Sequence, residues 1–109
     1  MSEGEIQGVL KEIVERIASR FDPDQVILFG SRAKGTADAD SDADLLIVMR
    51  VSGSKRKQAV QVDLALAGIP IPTDVIVMTP EDIEKYRDCP GTIVQEALRE
   101  GKTIYERAA

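Results

Sequence analysis

Three apolar runs, QVILFG at 25–30, ADLLIVMRV at 43–51 and TDVIVM at 73–78, limit what this chain can become more than any other feature. Each is too short for a buried helix, is rich in Val, Ile and Leu, and is bounded by Gly, Pro or Asp, so each reads as a strand. Before the first run, Ile6, Val9, Leu10, Ile13, Val14, Ile17 and Phe21 recur at the spacing of one helical face, which predicts an amphipathic helix up to the break at Pro23. Between the first two runs, SRAKG has room for a helical turn and TADADS is small and polar enough to be a loop. Between the second and third, Ser54 is an N-cap, and Ala59, Val60, Leu64 and Ala67 mark the apolar stripe of a helix running from Lys55 to its close at Gly68. IPIP forbids its continuation. After the third run, TPED sets Thr79 as N-cap and Pro80 in the first turn of a helix reaching Arg87. Cys89, Pro90 and Gly91 separate that helix from a last one, TIVQEALRE, which Gly101 stops, and KTIYE adds a short strand. Strands alternating with helices specify an α/β or α+β fold with a small mixed sheet covered mainly on one side by helices.

The chain has 109 residues, the length of a single domain spanning 1–109. No apolar run approaches the roughly 20 residues of a membrane span. The acidic, amphipathic MSEGEIQGVLKEIVERI lacks the basic-then-apolar order of a signal peptide, so the cytoplasm is the expected compartment. A net charge of −5 argues against a large nucleic-acid footprint. The sequence contains no histidine and one cysteine, Cys89, which excludes an internal disulfide, a cysteine-based zinc site and histidine-dependent hydrolase triads. Carboxylates, lysine, arginine and hydroxyls remain, a set suited to hard cations such as magnesium.

Against that background the stretch GSRAKGTADADSDADLLIV, from Gly30 to Val48, carries the chemistry. Asp42 and Asp44 stand at the mouth of an apolar strand, where successive side chains alternate between faces, so the two share one face. Two neighbouring carboxylates repel unless a cation lies between them. Directly after the preceding strand, Gly30 allows close approach of backbone to a ligand, and the Ser31 hydroxyl and free amides at a helix start suit phosphate oxygens. Arg32 and Lys34 add positive charge. Gly30 and Gly35 have the spacing of the P-loop GxxxxGKS/T, but Thr36 stands where its lysine belongs, so that motif is rejected.

The combination of GSRAKG with SDADL resembles the signature of the DNA polymerase β-like nucleotidyltransferase superfamily. LFGSRAKGTADADSDADLLIVM is similar to the pattern of its smallest members, the minimal nucleotidyltransferases, and TDVIVMTPEDIEKYRDCPGTIVQEALREGKTIYE looks like their C-terminal half. The resemblance is weakest over residues 50–70. It implies a third carboxylate on a neighbouring strand, at the position of Asp74, where an acid is otherwise a poor strand residue. Asp63 is the competitor; on the helix expected there it is a surface acid beside the apolar stripe. The resemblance further implies two Mg2+ ions held by Asp42, Asp44 and Asp74, with Gly30, Ser31 and Arg32 gripping the phosphates of ATP. AMP would then pass to a hydroxyl, a tyrosine of a partner HEPN-domain toxin, and the protein would act as the antitoxin. Two alternatives stand beside this reading: a non-catalytic module that neutralises the toxin by occlusion, and transfer to a small molecule of the aminoglycoside type. Elsewhere, Lys55, Arg56 and Lys57 read as a solvated helical turn, Tyr86 and Tyr105 as half-buried packing or interface residues, and Cys89 as inert.

Overall fold

In the computed structural model, which describes residues 2–38 and 40–108, the first apolar stripe folds as α1 (Glu3–Phe21). Ala39, in the expected TADADS loop, lies outside the described residues. A capping box opens α1: the Ser2 hydroxyl accepts from Glu5 N at 3.2 Å while the Glu5 carboxylate accepts from Ser2 N. Then follow β1 (Gln25–Phe29), α2 (Ser31–Lys34), β2 (Ala43–Val48), α3 (Lys55–Ala65), β3 (Thr73–Met78), α4 (Pro80–Tyr86), α5 (Ile93–Glu100) and β4 (Lys102–Glu106). Each expected helix and strand is present. No helix among the described residues is long and apolar enough to cross a membrane.

The strands form one mixed sheet in the order β3-β2-β1-β4. β1 pairs antiparallel with both β2 and β4, and β2 pairs parallel with β3. Parallel neighbours need a crossover, and α3 supplies it. Side-chain alternation divides the sheet into two faces of unequal cover. Val26 and Leu28, with Ala43, Leu45, Ile47 and Val77, face the larger core, which α1 completes with Leu10, Ile13 and Ile17 and α3 with Val62. Ile27, Phe29, Leu46 and Val48 face a smaller core closed by Ala97 of α5, with Ile76, Met78, Ile83 and Leu98 half-buried around it. The short helices α4 and α5 therefore cover the second face less fully than α1 and α3 cover the first.

The inward side of α3 differs from the stripe expected of it. Val62 and Ala65 are buried, whereas Val60 is 54% and Leu64 70% exposed. Apolar residues lie on almost every side of this helix, so its sequence permits either stripe, and packing on the sheet selects the one that continues into Leu66. The basic run opening α3 is not wholly solvated either. Lys55 Nζ lies 2.8 Å from Asp82 Oδ2, tying α3 to the capping box with which Thr79 and Asp82 start α4. That bond, followed by the Thr79 amide, holds the Asp82 carboxyl below the ordinary carboxylate value. Tyr86 and Tyr105 are half-buried, as their sequence context predicts.

Candidate active site

The strand directions bring the end of β1 and the starts of β2 and β3 to one end of the sheet. There Asp44 stands in register between Phe29 on one side and Asp74 on the other. Register partners point to the same face. That face is the less covered one, because Leu46 and Ile76, two residues further along each strand, belong to the smaller core. Asp42 lies two residues before Asp44, just ahead of β2, and is exposed. Asp63 belongs to α3 on the opposite face, where it accepts a hydrogen bond from Thr73 Oγ1 at 3.0 Å. Thr73 and Asp74 are consecutive in a strand and so point apart, which separates the competitor from the other acids.

Gly30 makes room for this arrangement. Its backbone has φ +74° and ψ −156°, and the Asp44 carboxylate occupies the space a Cβ would need. A side chain at position 30 would thus meet a backbone penalty and a collision together. The turn places Ser31 at the start of α2, where the Gly30 carbonyl accepts from Ala33 N and Lys34 N, both at 3.1 Å. The amides of Ser31 and Arg32, being first-turn donors, have no partner within the helix.

The electrostatics follow from the crowding of acids. Burial, then the charges of Asp74, Asp42 and Glu96, push the Asp44 carboxyl above the ordinary value. The acids are neighbours without forming a cage. Among the described residues no three Asp, Glu or Cys side chains form a group that could hold a metal ion by themselves. The positive charge expected near Gly30 is committed elsewhere: Lys34 Nζ lies 2.7 Å from Glu100 Oε2, and Arg32 donates to the Ser41 carbonyl.

The family model for polymerase beta nucleotidyltransferases matches residues 11–109. The chain belongs to that family. No curated protein matches it. Among solved structures, one from Sulfolobus solfataricus assigned to the nucleotidyltransferases is 25% identical with a TM-score of 0.65, over 92% of this chain and 79% of the other. A structure assigned as a minimal nucleotidyltransferase is 24% identical with a TM-score of 0.65, over 94% of this chain and 95% of the other. A toxin-antitoxin structure with AMP-PNP is 18% identical with a TM-score of 0.62, over 90% and 73%. The fold expected from the GSRAKG and SDADL motifs is therefore the fold found.

One neighbour of Asp44 is not legible in the motifs. Glu96, on α5, adds its charge to the Asp44 surroundings and lines a cleft of about 280 Å³ with Thr92, Arg99 and Glu100. More than fifty residues of sequence separate Glu96 from Asp44, and only the packing of α5 on the smaller core brings them together.

Proposed function

We propose that this nucleotidyltransferase moves AMP from ATP to a hydroxyl of a partner polypeptide, a tyrosine of a HEPN-domain toxin, and serves as its antitoxin. The observation that carries the reading is the facing pair Asp44 and Asp74 on the open end of the sheet, with Asp42 and the Gly30–Ser31 turn beside them. The fold shared with a toxin-antitoxin structure containing AMP-PNP supports testing it with ATP and a toxin first.

The donor set suits divalent magnesium. Its atoms are hard carboxylate oxygens, and Asp44 is held among uncompensated negative charge. Three acids that do not close a cage also suit magnesium, which typically keeps water and substrate phosphate oxygens among its ligands. Asp42, Asp44 and Asp74 would hold two such ions, which supply charge compensation to the triphosphate and polarisation of the α-phosphate. The amide and hydroxyl of Ser31 bind the β- and γ-phosphates. Gly30 keeps the backbone low enough for that approach. The acceptor oxygen attacks the α-phosphorus in line, the bond to the bridging oxygen breaks, and pyrophosphate leaves. Asp74, exposed where Asp44 is half-buried, takes the acceptor's proton.

Incubation with ATP labelled at the α-phosphate, Mg2+ and the product of the adjacent gene is expected to label that product. The double variant Asp42→Asn/Asp44→Asn is expected to leave it unlabelled. Equal labelling by the double variant would sink the reading, whereas neutralisation of the toxin by that variant without nucleotide would favour occlusion.

A further inference from the structure

We infer that Arg32 is a positioning residue: its guanidinium holds the peptide carbonyl ahead of Asp42 and so fixes the Asp42 carboxylate beside Asp44, rather than contacting the nucleotide's phosphates. The inference rests on the metal and nucleotide reading above and refines it. Arg32 Nε and Nη2 both donate to the Ser41 carbonyl oxygen, at 3.0 and 2.7 Å. A rigid planar fork on one acceptor fixes direction as well as distance, which a lysine ammonium does not reproduce. Two of the three guanidinium nitrogens are thereby committed to the loop.

The surroundings of the side chain agree. Arg32 is half-buried and borders a cleft of about 480 Å³ whose apolar lining includes Leu10, Leu28 and Ile71. These residues belong to the larger core, so the cleft opens on the face of the sheet opposite to Asp44 and Asp74. Asp42 itself precedes the paired part of β2 and is exposed, so its position depends on what holds the peptides around it. On one side Arg32 holds the Ser41 carbonyl. On the other, Ala43 N donates to the Pro72 carbonyl at 2.9 Å. Ser41 is fixed further: its amide donates to the Asp38 carbonyl at 3.2 Å and its hydroxyl accepts from the Asp38 amide at 3.0 Å. Asp42 is thus suspended between two peptide groups, one tied to α2 and the other to the approach to β3.

The test compares the wild-type protein with Arg32→Gln, Arg32→Lys and Asp42→Asn by three measurements. These are Mn2+ affinity by paramagnetic resonance of the free ion, ATP affinity in EDTA, and the amide resonance of Asp42 in the metal-free protein. Arg32→Gln is expected to weaken Mn2+ binding about tenfold, the loss typical of removing a group that orients a ligand. It is also expected to displace the Asp42 resonance and leave ATP affinity in EDTA unchanged. Arg32→Lys is expected to recover only part of the Mn2+ affinity, and Asp42→Asn to lose at least as much as Arg32→Gln. The inference is overturned if Arg32→Gln keeps its Mn2+ affinity and its Asp42 resonance while losing ATP affinity in EDTA, or if Arg32→Lys matches the wild type throughout. Should the wild-type protein bind no Mn2+, the metal reading fails on its own. The Asp42 resonance then decides for Arg32, displacement in Arg32→Gln supporting the inference and an unmoved signal overturning it.

Discussion

At Asp44 the fold makes ionisation harder than it is for an exposed carboxyl, because burial and the charges of Asp74, Asp42 and Glu96 all raise its pKa. For an acid whose pKa is higher folded than unfolded, the folded chain binds the proton more tightly. Stability therefore declines as pH rises from the ordinary value of about 4 through the raised one. In the metal-free protein at neutral pH, Asp44→Asn is accordingly expected to raise the melting temperature by about 2–5 °C. The gain should shrink as pH falls and the wild-type carboxyl takes up its proton. Thermal unfolding of both proteins at neutral and mildly acid pH checks this, and a less stable variant at neutral pH would refute it. The shared face of Asp42 and Asp44 follows in advance from a strand's alternation, whereas Asp74 entered only through the family resemblance. The contact between Gly30 and Asp44 does not follow in advance, since it depends on the register of β1 against β2. Nor does the Arg32 bond to Ser41, because a side chain reaching a backbone carbonyl across a loop leaves no periodic trace.

Among the elements, α3 shows where pattern stops being decisive. Leu64 and Leu66 are the same residue type two positions apart, yet one is 70% exposed and the other 4%. Leu66→Ala is expected to cost about 2–5 kcal/mol by opening a cavity in the larger core. Leu64→Ala is expected to change stability by less than about 0.5 kcal/mol. Urea unfolding of the two variants separates the stripe that packs from the one that does not, and equal losses would contradict the packing. α1, by contrast, was legible because its polar residues leave only one face for burial. β3 and β4 match TDVIVM and KTIYE residue for residue, the first bounded by Pro72 and the capping Thr79 and the second opened by Gly101. The Ser2 cap of α1 and the link from Lys55 to Asp82 do not follow from the apolar pattern. The first is a local signal of capping-box form, and the second joins residues 27 positions apart in two helices.

In the molecule as a whole, unequal cover of the two faces sets which carboxylates stay accessible: the less covered face leaves Asp44 and Asp74 at an open end while most of β1 and β2 stays buried. The resemblance of the GSRAKG and SDADL motifs pointed to the family and the apolar runs to the sheet, but which helices lie on which face follows from the crossover through α3 and the return through α5. At each end of the β2–β3 pairing a backbone hydrogen bond to the adjoining residue closes the ladder, Ala43 N to the Pro72 carbonyl at 2.9 Å and Met49 N to the Met78 carbonyl at 3.0 Å. A strand clasped at both extremities cannot slide by one step, and a one-step slide is the smallest motion that would turn Asp74 away from Asp44. On heating, catalytic competence should consequently vanish together with the fold and not ahead of it, so that inactivation and melting curves recorded on one sample superimpose.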